Sequence, residues 1–285
     1  MIPGITKSEL RAIKKPAQYV GGERGAINKD EAQIDVHFCL AFPDTYEVGM
    51  SHIGMQILYD VLNKDQKCWA QRAYVPLADM EELLRSRKIP LYSLESKKPL
   101  NSFDIVGFSL QYELCSSGIL AMLDLGQIPL LQKDRSDTDP LIIGGGPFTY
   151  HPEPVSDFFD AFLVGDGEEL APEFVEAYRT CKKENLTRAQ TLERLSAIEG
   201  VYVPSLFDPT YDHDEKLKAL NPVLKQYSSV RRRIIPTLEQ SPFPTDPVVP
   251  NIRAVHDRLS VEVMRGCVRG CRFCQAGYLL SLIHI

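Results

Sequence analysis

Three cysteines near the C-terminal end of the sequence have the spacing of a metal or cluster site. In the stretch MRGCVRGCRFCQAGY, residues 264–278, three residues separate Cys267 from Cys271 and two separate Cys271 from Cys274. Thiolates are soft ligands that bind zinc or the iron of iron–sulfur clusters. Glycines beside the three cysteines let the backbone curl tightly around bound metal. We therefore predict that these cysteines are metal ligands.

The residues leave two kinds of site open. A zinc ion takes four ligands in a tetrahedron, so the fourth would come from His256, His284 or a distant cysteine. An iron–sulfur cluster also usually takes four thiolates, and one held by three cysteines has an iron with an open coordination position. That position can bind a substrate or a cofactor. The density of the three cysteines disfavours an incidental arrangement.

The elements that must position this loop alternate between strands and helices. Five apolar runs rich in strand formers are each followed by a polar loop or a helical pattern: VHFCLAF, CWAQRAYVP, FDIVGFSLQ, PLIIGGGP and AFLVGDGEE. Parallel strands need crossover helices and become nearly continuous apolar runs. The pattern predicts a doubly wound parallel α/β sheet of the Rossmann-like type over residues 34–200.

The regions before and after this domain differ from it in composition. Residues 1–33 are predicted as an N-terminal extension, and residues 201–257 as a linker with a small hairpin, because four prolines fall within residues 242–250. The arginines at positions 231–233 fit a surface turn better than a phosphate site. Within residues 258–285, LSVEVMRGC predicts a strand that leads into the cysteine loop.

Composition excludes several classes of protein. The 285 residues are enough for two domains, and a net charge of −6 argues against a surface dominated by nucleic-acid binding. The sequence has neither a secretory signal nor a stretch of roughly 18 apolar residues, the length that a membrane span needs. The odd number of cysteines favours a reducing compartment, so we expect a cytoplasmic protein without a membrane partner.

The cysteine loop resembles that of the radical S-adenosylmethionine superfamily, in its CxxxCxxC spacing, its preceding strand and the aromatic Phe273 before the last cysteine. The resemblance implies that Cys267, Cys271 and Cys274 bind a [4Fe-4S] cluster, whose fourth iron chelates S-adenosylmethionine. Reductive cleavage would then give methionine and a 5′-deoxyadenosyl radical, and Phe273 would lie near the adenine. It also implies an electron donor such as flavodoxin or ferredoxin. The substrate stays open, with RNA and protein among the candidates.

Three further stretches resemble the radical S-adenosylmethionine subfamily with an N-terminal cobalamin-binding-like domain: KPAQYVGGE, AFPDTYEVGMSHIGMQILY and GGGPFTYHPEPVSDFFDAFLVGDGEE. Many cobalamin domains have D-x-H-x-x-G after the first strand, with the histidine on cobalt. Here the stretch runs from Asp44 to Gly49 and has Tyr46 at the histidine position. A phenol with a pKa near 10 is a poor ligand for cobalt at neutral pH. The domain therefore binds cobalamin without a protein ligand, or keeps the fold without the cofactor.

Ligands of a doubly wound sheet bind in the crevice at the carboxyl ends of its strands. We predict cofactor-binding positions in the loops at that edge: Asp44, Tyr46, Gly49, Gly144, Gly145, Gly165 and Gly167. The turn VGDGEEL offers amide groups at a helix start, where an anion can bind. Its own carboxylates complement the helix dipole instead and would repel phosphate.

Two functions follow from these features. The first is a radical S-adenosylmethionine enzyme, assisted by cobalamin if the first domain binds it, with no catalytic residue identified beyond the cluster ligands. The alternative is a non-enzymatic protein that binds zinc and senses a small ligand. Only eleven residues follow Cys274, whereas a full barrel needs on the order of 200. We therefore expect a fragment that is inactive alone, with a barrel truncated near its start.

Overall fold

A six-stranded sheet dominates the computed structural model, which describes residues 2–239, 241–280 and 282–284. The strand order is β2-β1-β3-β4-β5-β6; the first five strands in sequence are parallel, and β6 is antiparallel to β5. The strands are β1 (Val36–Thr45), β2 (Cys68–Val75), β3 (Ile105–Ser109), β4 (Leu141–Gly145), β5 (Ala161–Leu163) and β6 (Val201–Tyr202). The predicted doubly wound α/β fold is confirmed.

Helices flank this sheet. They are α1 (Lys7–Ala12), α2 (Tyr46–Gly49), α3 (Ile53–Lys64), α4 (Ala78–Arg87), α5 (Ser116–Leu125), α6 (Gly167–Lys183), α7 (Arg188–Leu195) and α8 (Ala276–Leu279). Helix α3 packs against α6, whereas α5 lies on β1 and β2 and contacts α4. Every residue from Phe38 to Pro43 is buried. Because successive side chains of a strand point to opposite faces, both faces of the central strand are covered.

The chain changes direction at the centre of the sheet. From β1 it moves outward to β2, then returns past β1 to β3 on the other side. In sheets of this order, ligands bind in the crevice outside the carboxyl ends of the two strands at the switch, here β1 and β3. The fold therefore has a crevice where the sequence predicts one.

The segments around the sheet pack against it. Ile5, Ile13 and Tyr19 of the N-terminal segment are buried, as are Tyr227 and Val248 of the predicted linker. That linker also contains a two-stranded antiparallel hairpin, β7 (Phe207–Tyr211) and β8 (Leu217–Pro222). Strand β6 begins one residue beyond the predicted boundary at residue 200. The division into four segments stays a prediction.

The last part of the chain has little regular structure. Strand β9 (Met264–Arg265) pairs antiparallel with β10 (Ile283–His284). The predicted strand LSVEVMRGC is therefore reduced to the two residues of β9. A strand needs a hydrogen-bonded neighbour, and β10 has only two residues that can pair with it. Positions 281 and 285 of the predicted last segment lie outside the described residues. None of the helices that the structure describes is long and apolar enough to cross a membrane.

Candidate functional site

The crevice at the carboxyl edge of the sheet contains a cavity of about 320 Å³. Its walls come from β1, β3, β4 and β5 on one side and from α3 and α6 on the other. The apolar lining includes Phe38, Leu40, Ile57, Leu58, Ile143 and Leu163. A cavity with apolar walls and a few polar groups at its mouth is the usual form of a small-ligand site.

Polar side chains from two segments also line this cavity: His52, before α3, and Ser109 and Gln111, at and after the end of β3. The Gln111 side chain donates a hydrogen bond to Ser109 Oγ at 2.8 Å. His52 caps α3, since its Nδ1 accepts a hydrogen bond from the Met55 amide at 3.3 Å. Burial lowers the pKa of His52 below 6.5, although a hydrogen bond with Gln111 opposes the shift. His52 is therefore a neutral imidazole at pH 7.

Three of the seven crevice positions predicted from the sequence line the cavity: Gly145, Gly165 and Gly167. Gly165 has a positive φ of 115°, and a Cβ there would lie 2.0 Å from the carbonyl oxygen of Arg233. Only glycine fits this combination of backbone angle and close approach. Gly165 is thus required because the backbone at Arg233 packs directly against it.

Asp44, Tyr46, Gly49 and Gly144 are not part of the cavity lining. A Cβ on Gly49 would lie 2.3 Å from the Tyr74 ring, and one on Gly144 would lie 2.7 Å from Leu110 and Phe162. The carboxylate of Asp44 accepts a hydrogen bond from the amide of Thr45 at 2.6 Å. Both glycines allow close packing, and a ligand-binding role for these positions stays a prediction.

Tyr46 is part of the core. Tyr46 is 1% exposed. Its hydroxyl donates a hydrogen bond to the Glu23 carboxylate at 3.1 Å and accepts one from the Asn251 amide at 2.9 Å. Burial, with Glu23 close by, raises the pKa of Tyr46 well above 10. The phenol is thus protonated and has two partners, so it does not fit the role of a cobalt ligand.

The cysteine loop is accessible and tightly curved. Cys271 is exposed and the other two cysteines of the loop are half-buried. Gly266 and Gly270 have positive φ values of 77° and 62°, a conformation that favours glycine. The Arg269 amide donates to Cys267 Sγ at 3.5 Å. Such a hydrogen bond stabilises a thiolate.

The three cysteines of this loop differ from the other four in their exposure. All seven cysteines are free thiols, and the four outside the loop are buried. Burial raises the pKa of Cys68 to about 12 and that of Cys39 well above 9. Among the described residues, no group of three or more donor atoms within 4.8 Å of one another includes the loop sulfurs.

Arg265 connects the cysteine loop to the crevice. Its guanidinium donates to Asp166 Oδ1 at 3.0 Å, to both carboxylate oxygens of Glu262 at 2.7 and 2.8 Å, and to Glu168. Burial alone would lower the pKa of Arg265, but the hydrogen bonds to Glu262 and Glu168 outweigh it and raise that pKa. Arg265 and Glu262 also line the cavity.

No local sequence pattern predicts the contacts of Arg265, because Asp166 and Glu168 are 99 and 97 residues away. The sequence does draw attention to the turn VGDGEEL, where either an anion binds at the helix start or the carboxylates complement the helix dipole. In the structure, Asp166 and Glu168 receive a guanidinium. Phe273, the predicted adenine contact, is 91% exposed and lies outside the cavity.

The arginines at positions 231–233 have partners within the chain. Arg232 donates to the Leu279 carbonyl at 2.5 Å, and Arg233 forms ion pairs with Glu173 and, at 3.6 Å, with Glu169. These contacts join the predicted linker to α6 and to α8. They agree with a structural turn more than with a phosphate site.

Comparisons with known proteins agree with this description. The sequence family described as "Radical SAM proteins, N-terminal" matches residues 54–204, which include β2 to β6. An uncharacterized protein of Methanocaldococcus jannaschii is 23% identical over 243 residues, or 83% of this chain. The match covers 40% of that relative, so the chain spans about two fifths of its length.

Proposed function

The chain belongs to the family of radical SAM proteins that share this N-terminal domain, and we propose that it takes part in radical S-adenosylmethionine chemistry. In this proposal Cys267, Cys271 and Cys274 hold a [4Fe-4S] cluster, whose open iron binds S-adenosylmethionine. The observation that carries the proposal is a curved, accessible loop of three free thiols that is joined by Arg265 to the domain matched by the family.

When bound, the cluster supplies one electron for the cleavage of S-adenosylmethionine to methionine and a 5′-deoxyadenosyl radical. The contribution of the chain is binding and orientation. The three thiolates hold iron, the Arg269 amide stabilises the charge on Cys267, and the exposed ring of Phe273 is available to the adenine. A flavodoxin or ferredoxin is the class of reductant that we propose.

For the first domain we propose a small ligand in the crevice cavity. The supporting observations are its apolar walls and the polar side chains of His52, Ser109 and Gln111 in its lining. Tyr46 does not fit as a ligand of cobalt, so no step is assigned to cobalamin. Gel filtration after incubation with hydroxocobalamin tests this cofactor directly: a retained corrinoid spectrum would support binding without a protein ligand, and none would argue against cobalamin.

Iron content tests the cluster. After anaerobic reconstitution with iron and sulfide, we expect ~4 iron atoms per chain and a brown protein. Cys271→Ala should lose most of this iron. Cys181→Ala is the matched control, because Cys181 is a buried thiol of α6 and should leave the iron content unchanged.

The same measurement distinguishes the alternative. A colourless protein with one zinc ion per chain, lost in Cys271→Ala, would favour the zinc-binding, ligand-sensing function. The spacing of Cys267, Cys271 and Cys274 and the family match over residues 54–204 favour the cluster. The substrate of the radical has no observation to identify it.

A further inference from the structure

Arg265 lies at the centre of a partly buried group of four charged side chains, two residues before the first cysteine of the loop. The side chains of Arg265, Asp166, Glu168 and Glu262 are 13%, 14%, 6% and 19% exposed. Exposed ion pairs contribute little to stability, whereas breaking a shielded pair leaves an uncompensated charge and costs much more. Because these four side chains are mostly shielded from solvent, loss of one partner should leave an uncompensated charge.

Asp166 is held in place independently of Arg265, and the backbone of Glu168 is fixed by its helix. Asp166 Oδ2 accepts a hydrogen bond from the Ile235 amide at 2.9 Å, and the Asp166 amide donates to the Arg233 carbonyl at 3.0 Å. Glu168 is in the first turn of the 17-residue helix α6, where the helix dipole favours a negative charge. The receiving site for the guanidinium is therefore preorganised.

The loop itself has few other fixed contacts. Val263 and Val268, on either side of Gly266, are 61% and 77% exposed. The β9 ladder is two residues long. Arg265 is thus a direct side-chain connection between the cysteine loop and the first domain, and it also lines the cavity.

We propose that Asp166 and Glu168 are positioning residues, which fix Cys267 through Arg265 and so couple the crevice to the cysteine loop. The cluster part of this proposal rests on the proposed function, while the coupling itself is a property of the metal-free chain. Loss of either carboxylate should free the loop without unfolding the sheet. An occupied cavity should in turn change the mobility of the loop, because Arg265 contacts both.

Hydrogen exchange followed by mass spectrometry on the metal-free chain tests the coupling. We expect Glu168→Gln and Asp166→Asn to speed exchange in a peptide covering 262–270 by about tenfold, which corresponds to about 1.4 kcal/mol. Peptides from β3 and α5 should be unchanged, which shows that the fold is intact. The control is Glu169→Gln, since the Glu169 side chain is 55% exposed and pairs with Arg233 instead.

A double-mutant cycle separates coupling from general loosening. Arg265→Gln removes the contacts to both Asp166 and Glu168, so it should accelerate exchange at least as much as Glu168→Gln, and the combined variant should exchange no faster than Arg265→Gln alone. Additive effects, or exchange within twofold of the parent chain in all variants, would overturn the proposal.

A second readout uses the cluster. In the reconstituted chain, Glu168→Gln should release iron to a chelator about tenfold faster than the parent, whereas Glu169→Gln should match the parent. Equal release rates in the parent and Glu168→Gln would overturn the positioning of Cys267. If the parent chain takes up no iron, the proposed function fails and the exchange experiment still decides the coupling.

Discussion

Gly144 and Gly145 are adjacent at the end of β4 and face opposite sides of the sheet, so alanine should have opposite effects at the two positions. A Cβ on Gly144 would lie 2.7 Å from both Leu110 and Phe162, whereas the nearest atom to a Cβ on Gly145 is the Leu163 carbonyl oxygen at 4.0 Å. Gly145 lines the crevice cavity and Gly144 does not.

The magnitudes follow from these contacts. Leu110 and Phe162 are fully buried, so they have no free space to move into, and Gly144→Ala should lower the free energy of unfolding by about 1–3 kcal/mol. Neither glycine has a positive φ. Gly145→Ala therefore meets no strain and restricts the unfolded chain, which should raise the free energy of unfolding by about 0.4–1 kcal/mol.

Urea unfolding followed by circular dichroism measures both changes in one experiment. The midpoint should fall for Gly144→Ala and rise slightly for Gly145→Ala, with the denaturant slope unchanged. A drop in Gly145→Ala as large as that in Gly144→Ala would refute the assignment of the cavity to this face of the sheet.

Three other predictions test the core and the crevice. Tyr46→Phe removes a partner from Glu23 and from the Asn251 amide, so it should cost about 1–3 kcal/mol of unfolding free energy in urea titrations; an unchanged midpoint would contradict this. Arg72→Met removes the cation that pairs with the buried carboxylates of Glu23 and Glu95 and should lower the free energy of unfolding by about 3–5 kcal/mol. A near-neutral change would show that the two carboxylates are solvated. Because burial lowers the pKa of His52 below 6.5, the unfolded chain binds the proton more readily, so stability should fall as the pH drops below 6.5. His52→Asn, which keeps a helix cap, should reduce this slope between pH 5 and 7, and an unchanged slope would exclude His52 as its source.

The sheet was predictable because most of its parallel strands are nearly continuous apolar runs, the exception being β2 with Gln71 and Arg72 at its centre. Strand β6 was not predicted, since two residues such as Val201 and Tyr202 give no periodicity. The long strand expected before Cys267 is reduced to β9. Residues that favour an extended conformation form a strand only where another strand pairs with them. The alternation of strands and helices predicted a crevice at the carboxyl ends of the strands, whereas the strand order came from the structure.

The candidate site was predictable only in part. The glycines after β4 and β5 mark the crevice edge, and three of them do line the cavity. The burial of Tyr46 could not be foreseen, because its partners Glu23 and Asn251 lie in segments predicted as an extension and a linker. The Arg265 group likewise joins residues almost one hundred positions apart, a contact that no local pattern encodes.

The most direct test of the central claim is electron paramagnetic resonance of the anaerobically reconstituted and reduced chain, with and without S-adenosylmethionine. We expect a reduced cluster signal that changes shape when S-adenosylmethionine is added, because the iron without a cysteine ligand is the one that binds it, and no signal in Cys271→Ala. A chain with no cluster signal and one bound zinc ion, or a cluster signal that S-adenosylmethionine leaves unchanged, would contradict the proposed function.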